Sequence, residues 1–181
     1  MAATLIALLR GINVGKAKRI AMADLRGVLE GLGYTDVRTL LNSGNLVFRA
    51  GALPPLKVAK AIEAAVVQRL GVSSRVTVIT AADLAGIAAE NPLLDLADNH
   101  SRLFVAVWSD PADRSRLEFL AGRTWKPEAF ALGRRAAYLW CPNGALESPL
   151  TTAVGRVLRD GATTRNWATI GKLDALASAN G

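Results

Sequence analysis

Apolar positions along the chain outline its elements before any chemistry is considered. Residues 5–9 form an unbroken apolar run, the pattern of a buried strand. Over 22–32 the apolar positions fall at 22, 25, 28, 29 and 32, the stripe of a helix with Gly33 where its C-cap belongs. Residues 37–41 and 46–48 read as short strands around Asn42-Ser43-Gly44-Asn45, whose composition suits a tight hairpin. Pro54-Pro55 opens a second helix, with Leu56, Ala59, Ile62, Val66 and Leu70 on one side and Gly71 closing it. Residues 75–80 alternate like a strand, and 82–90 make a third helix that stops before Asn91-Pro92.

This is the order β-α-β-β-α-β plus an extra helix, which is ferredoxin-like. The second half repeats it. An apolar strand over 103–108 leads into a helix over 111–121 with proline in its first turn. Strands at 128–132 and 136–141 form a hairpin across Gly133-Arg134, and a helix follows over 149–159. A very short extended piece at 161–163 takes the fourth-strand position, and a last helix over 166–177 is capped by Thr164 or Asn166. The expected fold is therefore α+β, two packed ferredoxin-like subdomains, residues 1–92 and 93–181, joined through 91–101 into one globular unit. One continuous mixed sheet is the alternative. The repeat lies in element order and not in residue identity.

Composition narrows the setting. The chain has 181 residues, 51% of them apolar and only 20% charged, enough to build a sizeable core and too few charges for disorder. Its single cysteine, Cys141, excludes an intrachain disulfide framework and fits a reducing cytoplasm. No segment approaches the roughly 20 apolar residues that span a bilayer. The opening apolar run has no basic leader and breaks at Arg10, which argues against a signal peptide. Charge is uneven. Residues 1–49 carry seven Lys/Arg against three Asp/Glu, 50–99 four against five, and 100–181 eleven against seven. Both terminal thirds thus favour anionic partners, nucleic acid or phosphorylated small molecules, although a positive balance also simply aids solubility.

Three polar clusters are the candidate chemistry. Arg10-Gly11-Ile12-Asn13-Val14-Gly15-Lys16 leaves the first strand as a cationic glycine loop, with Lys18 and Arg19 close behind. It is not a nucleoside-triphosphate phosphate loop: it has three residues between its glycines instead of four, Ala17 in place of Ser or Thr, and no immediate helix. A looser anion cradle of backbone amides and fixed charge remains, against a plain strand-to-helix crossover. Asn42-Ser43-Gly44-Asn45 is explained by its turn, yet an antiparallel neighbour of the first strand brings it to the same end of the sheet, with Arg49 at the opposite end. Thr163-Thr164-Arg165-Asn166-Trp167 reads as a helix N-terminus that receives an anion, with Trp167 as a stacking surface, or as a cap with a core tryptophan. No conventional catalytic set, metal-ligand spacing or cofactor motif is present. His100 reads as a solvated loop residue, Cys141 as half-buried filler, and Glu128 and Glu147 as surface carboxylates. Trp108, Trp125 and Trp140 read as core rather than as stacking platforms.

Residues 7–15, Ala7-Leu8-Leu9-Arg10-Gly11-Ile12-Asn13-Val14-Gly15, are followed by Ser43-Gly44-Asn45-Leu46-Val47-Phe48 and then by Thr163-Thr164-Arg165-Asn166-Trp167. With these in this order the chain resembles the bacterial DUF1697 family of unknown function over nearly its whole length. The resemblance implies two α+β subdomains related to the ferredoxin-like fold, and a site shared by residues 10–15, 43–45 and 165–167. It implies no activity, substrate or catalytic residue. Lys16-Ala17 departs from the glycine and polar residues with which many members continue. The resulting expectation is a cytoplasmic protein that binds an anionic ligand, nucleic acid or nucleotide, through Arg10, Gly11, Asn13, Gly15, Lys16, Ser43, Asn45, Arg165, Asn166 and Trp167. The alternatives are a metal-independent enzyme acting on a small phosphorylated or carboxylated substrate, and a protein-interaction module.

Overall fold

A computed structural model of the chain describes residues 1–179. Its elements run β1 (Ala3–Leu9), α1 (Met22–Gly31), β2 (Thr35–Leu40), β3 (Asn45–Ala50), α2 (Pro55–Leu70), β4 (Val76–Thr80) and α3 (Ala81–Glu90). The same order then recurs as β5 (Leu103–Trp108), α4 (Asp113–Ala121), β6 (Ala129–Leu132), β7 (Ala136–Trp140), α5 (Pro149–Leu158), β8 (Ala162–Asn166) and α6 (Trp167–Ser178). Two four-stranded antiparallel sheets result, ordered β2-β3-β1-β4 and β6-β7-β5-β8, which is the ferredoxin-like order in each.

The run Leu5 to Leu9 is apolar at every position because β1 is covered on both faces. Leu5, Ala7 and Leu9 pack into the core with Leu25 and Leu29 of α1 and Val58 and Ile62 of α2, while Ile6 and Leu8, which point the other way, are equally buried. The corresponding core of the second sheet gathers Ala106 and Trp108 of β5 with Leu117 and Leu120 of α4 and Leu150 and Val154 of α5. Trp108 and Trp140 are buried core residues, so neither is a stacking platform, whereas Trp125 is half-exposed.

Two local expectations change. The short extended piece expected at 161–163 is a five-residue strand, β8, paired with β5 from Trp108↔Ala162 to Phe104↔Asn166. Its polar sequence Ala-Thr-Thr-Arg-Asn gives no apolar signal. The free edge of β5 supplies the ladder that the residues themselves do not advertise. Arg165 therefore lies within a strand, and the helix starts only at Trp167. At α4 the helix begins at Asp113, after a turn in which Asp110 Oδ1 accepts the Ala112 N–H, so Pro111 precedes the first helical residue.

Element order repeats once, from β1 to α3 and again from β5 to α6. Met1–Leu84 and the chain from Leu173 on form one unit, and Ala85–Lys172 the other. In each half of the element order the last strand hands directly to a helix and its final residue caps that helix. Thr80 Oγ1 accepts the Asp83 N–H at 3.0 Å while Asp83 Oδ2 takes the Thr80 N–H at 3.1 Å, a reciprocal capping box. Asn166 Oδ1 accepts the Thr169 N–H at 2.9 Å.

Because the halves repeat, each is a ruler for the other's loops. The β1-to-α1 crossover has twelve residues, 10–21, but its counterpart between β5 and α4 has four, 109–112. Conversely, residues 141–148 between β7 and α5 number eight against four at 51–54, and residues 122–128 between α4 and β6 number seven against three at 32–34. The fold closes with the short versions, so the long ones are additions to it. The capping box gives a first prediction. Thr80→Ala removes both side-chain bonds of Thr80 and lowers stability by about 1–2 kcal/mol in urea unfolding, while Thr80→Ser loses under about half of that.

Candidate functional site

At the exit of β1 three chain segments are stitched together. The Leu9 N–H donates to the Gly44 carbonyl at 2.9 Å, the Arg10 N–H donates to the Arg75 carbonyl at 2.9 Å, and Ser74 Oγ donates to the Arg10 carbonyl at 2.8 Å. Gly44, at φ +81°, is forced by space as well as by backbone, since a Cβ there would stand 2.7 Å from Leu9 Cβ. Beyond Arg10 the loop is organised by Asn13. Its amide nitrogen donates to the carbonyls of Ile20 at 2.9 Å and Asn42 at 2.7 Å, and its Oδ1 accepts the Ile20 N–H at 2.8 Å. One side chain thus closes the glycine loop and ties it to the β2–β3 turn.

From Gly11 to Gly15 the sign of φ alternates, positive at Gly11, Asn13 and Gly15. Such alternation turns successive N–H groups toward one concavity. A Cβ at Gly11 or Gly15 would meet nothing within 4 Å, so these glycines serve the backbone turn and leave it uncovered. Beside the loop is a cleft of about 420 Å³ lined by Asn13, Arg19, Ile20, Ala21, Met22 and Asn42. It opens at the N-terminus of α1, where the N-cap is Ala21 and no side chain caps the helix. The amides of Met22, Ala23 and Asp24 meet no acceptor among the described residues, and the exposed Asp24 carboxylate is the chain's own complement to that positive end. Lys16, Lys18 and Arg19 are exposed and form no ion pair among the described residues.

The other expected site residues are more structural. Asn45 is wholly buried, and its amide donates inside the turn to the Leu40 carbonyl at 2.8 Å and to Ser43 Oγ at 2.9 Å. In the second unit Asn166 is spent on its cap, and Trp167 packs edge-on against Tyr138 with ring centroids 6.5 Å apart. Arg165 differs. It stands opposite Val105 in the ladder, the place where β4 carries the fully buried Ile79 opposite Ile6. Burial pushes its guanidinium down to about 10, still charged at neutral pH.

A second cleft, of about 290 Å³, was not foreseen. Its lining includes Trp125, Lys126, Glu128, Asn143, Glu147 and Ser148. Glu128 is no idle surface carboxylate: its Oε2 accepts the Leu150 N–H at 3.1 Å at the start of α5, beside Ser148 Oγ, which accepts the Thr151 N–H at 3.0 Å. Cys141 lies buried against Ser148, Sγ to Oγ 3.5 Å, and burial pushes its thiol up to about 11. No sequence signal announced this cleft, because its walls come from two loops joined only by the fold. Among the described residues no group of three or more His, Cys, Asp or Glu is placed to hold a metal, and no helix is long and apolar enough to cross a membrane.

The chain belongs to the DUF1697 family of proteins of unknown function, whose profile matches residues 2–138. That match contains the glycine loop and the Ser43–Phe48 segment and stops short of Cys141. Among solved structures the chain is similar to the conserved bacterial protein SP0830 of Streptococcus pneumoniae, with a TM-score of 0.77 at 20% identity over 98% of this chain and 99% of that one. At that identity the likeness is one of fold. Comparison with curated proteins gives no match.

Two predictions follow from this geometry. Asn13→Asp keeps the loop's shape but replaces two donated hydrogen bonds with a carboxylate facing two carbonyls. It lowers unfolding stability by about 2–3 kcal/mol and selectively loosens residues 11–20 in amide exchange. Cys141 holds its proton longer in the folded chain than in the unfolded one. Its contribution to stability is therefore complete below the ordinary thiol range and declines as pH rises toward 11, a decline that Cys141→Ala flattens in pH-dependent unfolding.

Proposed function

We propose that the first unit binds a phosphate-bearing ligand, nucleic acid or nucleotide, at the end of the sheet where β1 gives way to the glycine loop. The observation that carries this reading is the meeting of Lys16, Lys18 and Arg19, all exposed and without an ion pair among the described residues, with a cleft at the uncapped start of α1. Cations held in solvent with no internal partner keep their full field for a ligand, and open helix amides add donors that a phosphate oxygen accepts. The loop is three times the length of its counterpart in the second unit, and while its Ile12 and Ile20 join the core, its cationic stretch from Lys16 to Arg19 is exposed.

Within this reading Arg19 and the first amides of α1 contact the phosphate, and Arg10, Lys16 and Lys18 extend the positive field. Gly11 and Gly15 leave the backbone approachable, while Asn13, Ser43 and Asn45 fix the loop and turn in place. In the second unit Arg165 is the side chain suited to an anion, with Asn166 and Trp167 holding the element that carries it. A reducing cytoplasm suits a chain whose only thiol is free.

Fluorescence anisotropy with labelled single-stranded RNA, duplex DNA and a fluorescent nucleotide at low salt tests the proposal. Binding is expected to weaken steeply as salt rises, and the triple variant Lys16→Ala, Lys18→Ala, Arg19→Ala to lose about tenfold or more in affinity with a shallower salt dependence. Absence of binding to every probe at low salt, or an unaltered affinity in the triple variant, refutes it.

A further inference from the structure

The second cleft lies entirely within Ala85–Lys172 and is built from the two loops that the second unit lengthens, residues 122–128 and 141–148. The first unit makes the same connections with three and four residues, so the added length exceeds what the sheet needs to close, although Glu128 and Ser148 at its ends also cap α5. The added chain is also held in shape. The Trp125 indole N–H donates to the Leu120 carbonyl at 3.0 Å, the Gly144 N–H to the Cys141 carbonyl at 2.9 Å, and Thr151 Oγ1 to the Ala145 carbonyl at 2.7 Å. A cavity whose walls are fixed in advance spends little of a ligand's binding energy on ordering itself.

Its chemistry selects against anions. The start of α5 would ordinarily attract one, but Pro149 has no N–H to give, and Glu128 and Ser148 already accept the next two amides. An added anion would meet the Glu128 carboxylate there instead. Glu128 and Glu147 outnumber Lys126 in the lining. Trp125 has committed its N–H to the backbone, so its ring is what it offers the cleft. Carboxylates beside an indole ring suit an ammonium or guanidinium group, which gains both Coulomb attraction and about 0.5–2 kcal/mol from the ring's quadrupole. At about 290 Å³ the cavity matches a small molecule.

We propose that this cleft is a binding site for a small organic cation, a primary amine or guanidinium compound, held between Glu128 and Glu147 against Trp125. The site is independent of the anion reading for the first unit and shares no residue with it.

The test is nuclear magnetic resonance of the ¹⁵N-labelled full chain titrated with agmatine, which carries both cationic groups, and separately with glutarate as the anionic arm. Agmatine is expected to give saturable shifts at the Trp125 indole N–H and at the amides of Ser148, Leu150 and Thr151. The exposed Glu147→Gln substitution is expected to raise the Kd at least about fivefold with the spectrum otherwise unchanged. Glu128→Gln, which keeps an acceptor for the Leu150 N–H, is expected to act in the same direction. The proposal is overturned by any of three results: no saturable shift at those resonances with agmatine, equal or tighter binding of glutarate there, or an agmatine Kd that Glu147→Gln leaves unaltered.

Discussion

Strand β1 is bonded along both of its edges, to β3 from Ala3↔Ala50 to Leu8↔Asn45 and to β4 from Leu5↔Thr80 to Leu9↔Val76. Both ladders are antiparallel. The end of β1, the start of β3 and the start of β4 therefore have to arrive at the same end of the sheet. From that constraint come the bonds that join Leu9 to Gly44 and Arg10 to Ser74 and Arg75, and with them the place of the glycine loop. Slippage of β1 by one residue would exchange Leu5, Ala7 and Leu9 with Ile6 and Leu8 and break two ladders at once, so the loop's footing is fixed by burial as much as by hydrogen bonds.

Repetition separates what the fold requires from what has been added to it. The two halves share strand order, sheet geometry and the device of letting a strand's last residue cap the following helix. They differ in where they carry extra chain. The first lengthens the connection that follows its central strand, and the second lengthens the two connections at the other end of the equivalent sheet. Each cleft sits beside the added segments of its own unit, in keeping with the rule that a common scaffold acquires its chemistry through loops. Arg165 is a smaller instance of the same divergence, a charge installed where the equivalent strand has isoleucine.

Much of this was legible in the residues because burial writes a period into them. Helices α1 and α2 follow from 3.6-residue stripes, β1 and β5 from unbroken apolar runs and β4 from alternation, while the element repeat and Gly71 and Pro149 at helix ends place much of the rest. The eighth strand, Ala162–Asn166, was only partly visible because a polar edge strand is held by its neighbour's ladder and not by its own side chains. The approach of the Asn42 turn to the glycine loop was deducible from antiparallel pairing. The fate of Asn45 was not: the same residue type serves a turn or a ligand, and only its complete burial decides. The cleft under Trp125 was invisible for a different reason. Its walls are separated in sequence by the β6–β7 hairpin, and no spacing along the chain encodes their meeting.

The unequal crossovers have a consequence for how such a chain can vary among its relatives. A connection that exists in both a four-residue and a twelve-residue form on one architecture marks a position where insertions and deletions are tolerated by the scaffold. Each unit has its own such position, at a different end of its sheet. The cleft at one can therefore be reshaped, shortened or lost by changes in loop length alone while the other keeps its form. Relatives with the same fold are then free to differ in which of the two clefts they carry, and the length of these connections shows which one a given chain keeps.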